Sequence, residues 1–212
     1  MKAFFQKYSF VRYLIYLFAI YLIGLFVLEP RSAATSFIDT STWIDQYIPF
    51  NEYFVIPYIL WFGFIALGFL YFIFIDRAGF QRTCFYLFVG MYTCLLIYFL
   101  FPNGQNLRVE IAHENIFQDL VGLIYTVDTS TNVFPSIHVY NSLMMSVTLF
   151  ESERVRKHPL LIAGIVVLSI SICLSTVMIK QHAFIDIIAA IVLSIIVFYA
   201  YRVMKKYKKE NI

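Results

Sequence analysis

Three groups of side chains in this sequence have the types and spacing to do chemistry together. His182 and Asp186 are four residues apart, so on a helix both project from one face. A carboxylate at that position holds the imidazole through its Nδ1 proton and leaves Nε2 open as a nucleophile or base. His138 follows Pro135 and Ser136. Proline is a favoured first-turn residue, so His138 is expected to open a helix whose unpaired amides suit phosphate oxygens. Arg108, after Phe101-Pro-Asn-Gly-Gln-Asn-Leu, and Lys180, two residues before His182, supply cations. Phosphate recognition needs such charge. Together these groups offer a nucleophile or base beside donors and cations able to bind phosphate oxygens.

These groups lie far apart in sequence, so the elements between them must bring them together. Of the 212 residues, 61% are hydrophobic, 19% aromatic and only 14% charged. Soluble domains carry about 25% charged residues. A bilayer core of about 30 Å takes roughly 20 apolar residues per helix, and six blocks approach that length: 13–28, 54–75, 84–101, 135–150, 159–175 and 183–203. The fourth is the weakest, because Asn141, Ser142 and Ser146 dilute it. The first follows Lys2, Lys7 and Arg12 as a signal peptide would, but it is long, rich in Tyr and Phe, and followed by Glu29-Pro30-Arg31. It reads as a retained span.

Short loops rich in Lys and Arg stay in the cytoplasm. With both termini inside, 13 of the 16 Lys and Arg residues fall on the cytoplasmic side, leaving Arg31, Arg108 and Lys180 outside. The formal net charge of +3 then follows from topology and does not point to a nucleic-acid surface. The expected fold class is an all-α integral membrane protein, a six-transmembrane-helix bundle forming one domain over residues 1–212. Under this topology Arg108, Pro135–His138 and Ser175–Asp186 meet at the outer membrane level.

Two outer segments are longer than a connection requires. Residues 29–53 contain Asp39, Asp45 and Glu52 around Trp43 and Tyr47, a pattern for a short interfacial helix. Residues 102–134 interleave Ile111, Phe117, Leu120, Val121 and Ile124 with Glu110, Glu114, Gln118 and Asp119, which predicts an amphipathic helix between spans three and four. Asp128 and Asn132 read as turn residues, with a place beside the pocket as the alternative. His113 and His158 read as polar-surface residues, and Cys84, Cys94 and Cys173 as packing residues without metal or redox spacing.

At this point the pattern resembles the type 2 phosphatidic acid phosphatase superfamily. Its second motif, Pro-Ser-Gly-His, is matched by Pro135-Ser136-Ile137-His138 with Ile in place of Gly. Its third motif is Ser-Arg, five residues, His, three residues, Asp. Ser175-Thr176, His182 and Asp186 keep that spacing, with Thr176 in place of Arg. Its first motif, Lys, six residues, Arg-Pro, survives only at Arg108, with Phe101 and Val109 at the other places. The Pro-Ser-x-His form, with Lys-Gln-His before the last Asp, is similar to the sphingolipid-synthase-related branch.

The resemblance implies a mechanism. His182 attacks phosphorus and forms a phosphohistidine, Asp186 stabilises the imidazolium, and His138 serves as general acid and then base. Arg108, Lys180 and backbone amides near Ser136 bind the phosphate oxygens. No cofactor is expected, and the outer segments offer no carboxylate cluster suited to magnesium. The expected partners are a lipid phosphate substrate and membrane lipids, and not nucleic acid. Phosphatidic acid, phosphatidylglycerol phosphate and isoprenoid (di)phosphates all fit a site at the membrane surface. Water as acceptor makes the protein a phosphatase, and an alcohol acceptor makes it a phosphotransferase. A third reading, a non-enzymatic lipid-binding or transport protein, draws on the replaced Lys and Arg. The small size and the lack of an appended targeting signal point to a bacterial plasma (inner) membrane with an extracytoplasmic site.

Overall fold

The computed structural model describes residues 10–34 and 36–210, with side chains described at 10–28 and 36–207. Lys2 and Lys7 lie outside the described residues, as do the side chains of Arg31, Lys208 and Lys209. The chain runs through α1 (Val11–Ala34), β1 (Ile38–Asp39), two single-turn 3-10 helices (Trp43–Gln46 and Glu52–Phe54), α2 (Val55–Phe74) and α3 (Arg77–Leu100). It continues through β2 (Asn103–Gly104), α4 (Ile116–Val127), α5 (Ile137–Phe150), α6 (Glu153–Arg156), α7 (Pro159–Met178) and α8 (Phe184–Glu210).

Five helices (α1, α2, α3, α7 and α8) are long and apolar enough to cross a membrane. The fourth expected span, α5, has only 14 residues, about 21 Å at 1.5 Å per residue. It is nevertheless the centre of the bundle, with α2, α3, α7 and α8 all packed against it. Its polar residues follow from that position. Asn141, Ser142, Ser146 and Thr148 are buried in protein, and the hydroxyls of Ser142, Ser146 and Thr148 donate to carbonyls of their own helix. Such back-bonding satisfies a buried hydroxyl locally.

Close approach holds the neighbours to α5. A Cβ at Gly90 of α3 would overlap the ring of Tyr140, and one at Gly68 of α2 would meet Met145. Small residues that let helices touch are the usual means of association in lipid, which exerts no hydrophobic drive between them. At one end of the bundle Asp76 caps α3 by accepting from the Gly79 amide. At that same end Arg82 pairs with Glu151 at 2.8 Å, and Arg202 also reaches Glu151. The chemical residues all sit at the opposite end.

The segment after the first span differs from its expectation. α1 continues to Ala34, and no interfacial α-helix follows among the described residues. Instead β1 pairs in parallel with β2, and a 3-10 turn at Trp43–Gln46 leaves Trp43 and Tyr47 exposed while burying Asp45. Thr42 and Asp45 close this turn reciprocally, and Asp45 Oδ1 also caps α8 by accepting from the Phe184 amide at 2.7 Å.

The amphipathic helix between spans three and four is present as α4. Asn115 caps it by accepting from the Phe117 and Gln118 amides, the usual way a side-chain oxygen satisfies first-turn donors. Val121, with Leu120 and Ile124 beside it, packs on Val55, Tyr58 and Ile179. One face of α4 therefore closes over the end of the bundle where the site lies.

Candidate functional site

His182 precedes α8, and Asp186 sits in the first turn of that helix. The His182 amide and the Gln181 amide both donate to the Thr176 carbonyl at 2.9 Å, which folds the α7–α8 turn tightly. The turn passes through Lys180 in the left-handed region, at φ 56°. His182 Nδ1 then lies 3.2 Å from Asp186 Oδ2, which also accepts from the Ala183 amide at 2.9 Å. Both side chains are buried, Asp186 completely. His182 Nε2 has no hydrogen-bond partner among the described residues, the arrangement a nucleophilic imidazole requires.

His138 comes from the first turn of α5. Ser136 caps that helix, and its own amide donates to the Asp186 carbonyl at 3.2 Å. That bond ties the second and third sequence clusters together. The peptide between Phe134 and Pro135 is cis, and Tyr98 donates to the Pro135 carbonyl at 2.9 Å. The His138 and His182 ring centroids are 5.8 Å apart. From α2, Tyr58 and Trp61 pack on His138 at 4.6 and 4.4 Å.

Arg108 approaches from the other side of the His182 turn. Its guanidinium donates to the carbonyls of Tyr125 and Asp128 and, at 2.6 Å, to Oε1 of Gln181. It also lies over the Tyr125 ring at 4.5 Å. Burial pushes the Tyr125 hydroxyl up to about 12, and the nearby Arg108 charge opposes that rise. Arg108 is thus fixed beside the residue preceding His182. Lys180 is placed differently: its ammonium donates to the carbonyls of Asp45 and Ile48. Burial lowers the Lys180 pKa, and the Asp45 carboxylate partly offsets this.

Several residues that organise the site carry no signal in the sequence pattern. Asn103 accepts from the amides of Val133 and Phe134 through Oδ1 at 2.9 and 2.8 Å. Gln105, fully buried, donates from Nε2 to the Lys180 carbonyl at 2.9 Å. The loop between Phe101 and Arg108 therefore clasps the segment leading to His138 and the turn leading to His182. Gln181 holds Arg108, and Asp128 accepts from the Tyr58 hydroxyl at 2.6 Å. Asp128 follows the last turn of α4, in keeping with its reading as a turn residue, and reaches His138 through Tyr58. Adjacency to His182 is the one clue that could have found Gln181.

The residues given surface or packing roles stay away from this cluster. His113 pairs with Asp119 at 2.7 Å, both exposed. His158 is exposed at the start of α7, and the three cysteines are free thiols. Among the described residues, no three His, Cys, Asp or Glu side chains gather as a set able to hold a metal ion.

Residues 109–210 match the family model of the PAP2 superfamily. The matched stretch begins one residue after Arg108 and takes in Ser136, His138, Lys180, His182 and Asp186. No curated protein and no solved structure matches the chain.

Proposed function

We propose that this chain is a single-domain membrane enzyme that hydrolyses a phosphate ester or diphosphate carried by a lipid, through a phosphohistidine on His182. PAP2 superfamily members are phosphatases and phosphotransferases acting on phosphate esters, which supports the enzyme class. The observation that carries the reading is His182 Nδ1 held 3.2 Å from Asp186 with the His138 ring 5.8 Å away. One imidazole is oriented for attack, and a second sits within reach of the group that leaves.

In the first step the Nε2 lone pair of His182 forms a bond to phosphorus as the bond to the lipid oxygen breaks. Asp186 stabilises the positive charge that develops on the imidazole. The departing oxygen takes a proton from the His138 imidazolium. In the second step His138 accepts a proton from water, whose oxygen bonds phosphorus as the nitrogen–phosphorus bond breaks. Phosphate leaves with His138 already protonated for the next cycle. Arg108 and the free amides at the start of α5 face the developing charge on the phosphate oxygens. Lys180 holds the 45–48 turn over the site and adds positive charge at longer range.

The site opens on the outer face of a six-span bundle with both termini in the cytoplasm, α5 being the short central span. Trp43 and Tyr47, exposed at the site end, suit the membrane interface, where aromatic side chains concentrate. A lipid phosphate reaches that level while its chains remain in the bilayer.

The test is phosphate release from a panel of lipid phosphates by detergent-purified protein, with EDTA present and His182→Ala alongside. Release that survives EDTA and is lost in the variant is expected. No release from any lipid by the wild-type protein sinks the phosphatase reading, and the same panel with alcohol acceptors then tests transfer.

A further inference from the structure

His182 has Asp186 behind its Nδ1 atom, whereas His138 Nδ1 is buried without any hydrogen-bond partner. Oδ1 of Asn141 and Nε1 of Trp61 share that condition. The Trp61 ring is 4.4 Å from that of His138. Asn141 lies three residues beyond His138 on α5 and is 2% exposed. Residues at that spacing are neighbours on a helix, about 5–6 Å apart between Cβ atoms.

The chemistry of the three atoms is complementary. A histidine that gives and takes a proton at Nε2 keeps its other proton on Nδ1 throughout, and that proton needs an acceptor. Leaving a buried donor unsatisfied costs about 1–3 kcal/mol, and more when the group is charged. The indole N–H only donates, so Trp61 cannot fill the role. Asn141 Oδ1 is an acceptor and is itself unsatisfied. One water that accepts from His138 Nδ1 and Trp61 Nε1 and donates to Asn141 Oδ1 makes three bonds, the usual number for a buried water.

We propose that Asn141 is a positioning residue for His138, accepting the Nδ1 proton through one buried water that Trp61 also holds. The proposal rests on the reading of His138 as the acid and base. The other groups around His138 are few. Tyr58 packs on it but donates to Asp128, Arg108 binds the Asp128 carbonyl, and His182 is backed by Asp186. From α3, the Tyr98 hydroxyl goes to the Pro135 carbonyl, and α7 contains no charged residue.

The experiment reads His138 directly. The chain has two tryptophans, so Trp43→Phe leaves Trp61 as the sole tryptophan, excited selectively at wavelengths where tyrosine does not absorb, and an adjacent imidazolium quenches indole emission. A pH titration of that emission gives the His138 midpoint, and His138→Gln must abolish it. Asn141→Leu removes the acceptor at similar volume, and the midpoint should fall by about one unit, the equivalent of losing one such hydrogen bond. Asn141→Asp keeps an acceptor and adds negative charge, so the midpoint should rise.

In phosphate-release assays Asn141→Leu should lower kcat about tenfold with KM within twofold, a loss on the scale of impaired general acid catalysis. Its alkaline limb should move to lower pH, and that of Asn141→Asp to higher pH. Midpoints that shift in a protein with no phosphatase activity would uphold the Asn141 assignment and defeat only the functional reading. An active enzyme whose midpoint is unmoved in both variants would overturn the assignment. If Asn141→Leu does not fold, an unmoved midpoint in Asn141→Asp alone overturns it.

Discussion

The Ser136 amide donates to the Asp186 carbonyl at 3.2 Å, although the two residues are 50 positions apart. That bond joins the start of α5 to the first turn of α8, and therefore sets His138 against His182. Neither histidine helix could shift along the bundle axis without breaking it. The same junction carries the His182–Asp186 contact at 3.2 Å, so His182 and His138 are held to one junction.

Asp186→Asn should remove the charge that orients and stabilises the His182 imidazole while leaving an oxygen for the Ala183 amide. Loss of such a carboxylate lowers kcat by about 10²- to 10⁴-fold in comparable His-carboxylate pairs. Steady-state kinetics should show this fall with a folded protein by thermal melting. A kcat within threefold of wild type would remove Asp186 from the mechanism.

Arg108 and Lys180 should separate cleanly. Arg108→Lys loses the fork that reaches Tyr125, Asp128 and Gln181 together, and Arg and Lys are not interchangeable at such sites. It should raise KM and lower kcat, each roughly tenfold, on the scale of a lost charge-assisted hydrogen bond. Lys180→Met frees the carbonyls of Asp45 and Ile48, so it should lower the melting temperature while KM changes less than threefold. Kinetics and melting of both variants check this, and a reversed pattern would give the phosphate to Lys180.

Lys180 also makes a prediction about pH. Its folded pKa is lowered by burial below the usual 10.5, so the unfolded chain binds this proton more tightly than the folded one. Stability from this group therefore rises with pH between the lowered value and 10.5, because the unfolded state releases its proton last. Lys180→Met should flatten the melting-temperature profile in that window. An unchanged slope would mean that Lys180 contributes nothing to it.

Asn103→Leu should damage activity from a distance. Its Oδ1 accepts two amides just before Pro135, and two unsatisfied buried amides cost about 1–3 kcal/mol each. Melting should show the loss, and kcat should fall further than in a surface control of equal instability. Asn103→Asp, which keeps the acceptor, should recover most of both.

Much of this was legible in the residues themselves. The spacing of His182 and Asp186 and the Pro-Ser-x-His run placed three side chains that the bundle brings to one end. The apolar stripe of 102–134 foretold α4, because an amphipathic face obeys a period that sequence displays. The clasp of Asn103 and Gln105 was invisible, since each bonds to backbone at least 30 residues away and no periodicity records that. α5 looked like the weakest span for a related reason. Its serines and Asn141 face protein rather than lipid, and composition alone cannot tell a central helix from a poor span. The 29–53 segment was misjudged because a buried Asp45 capping α8 resembles any acidic loop residue until its partner is known.

The most direct measurement is acid–base trapping of the phosphoenzyme with a lipid carrying radiolabelled phosphate. Quenched within the first turnover, the wild-type protein should carry label that survives alkali, is lost in acid, and maps to His182. His182→Ala should carry none. Hydrolysis that proceeds with no labelled protein, or with label on another residue, would contradict nucleophilic catalysis by His182.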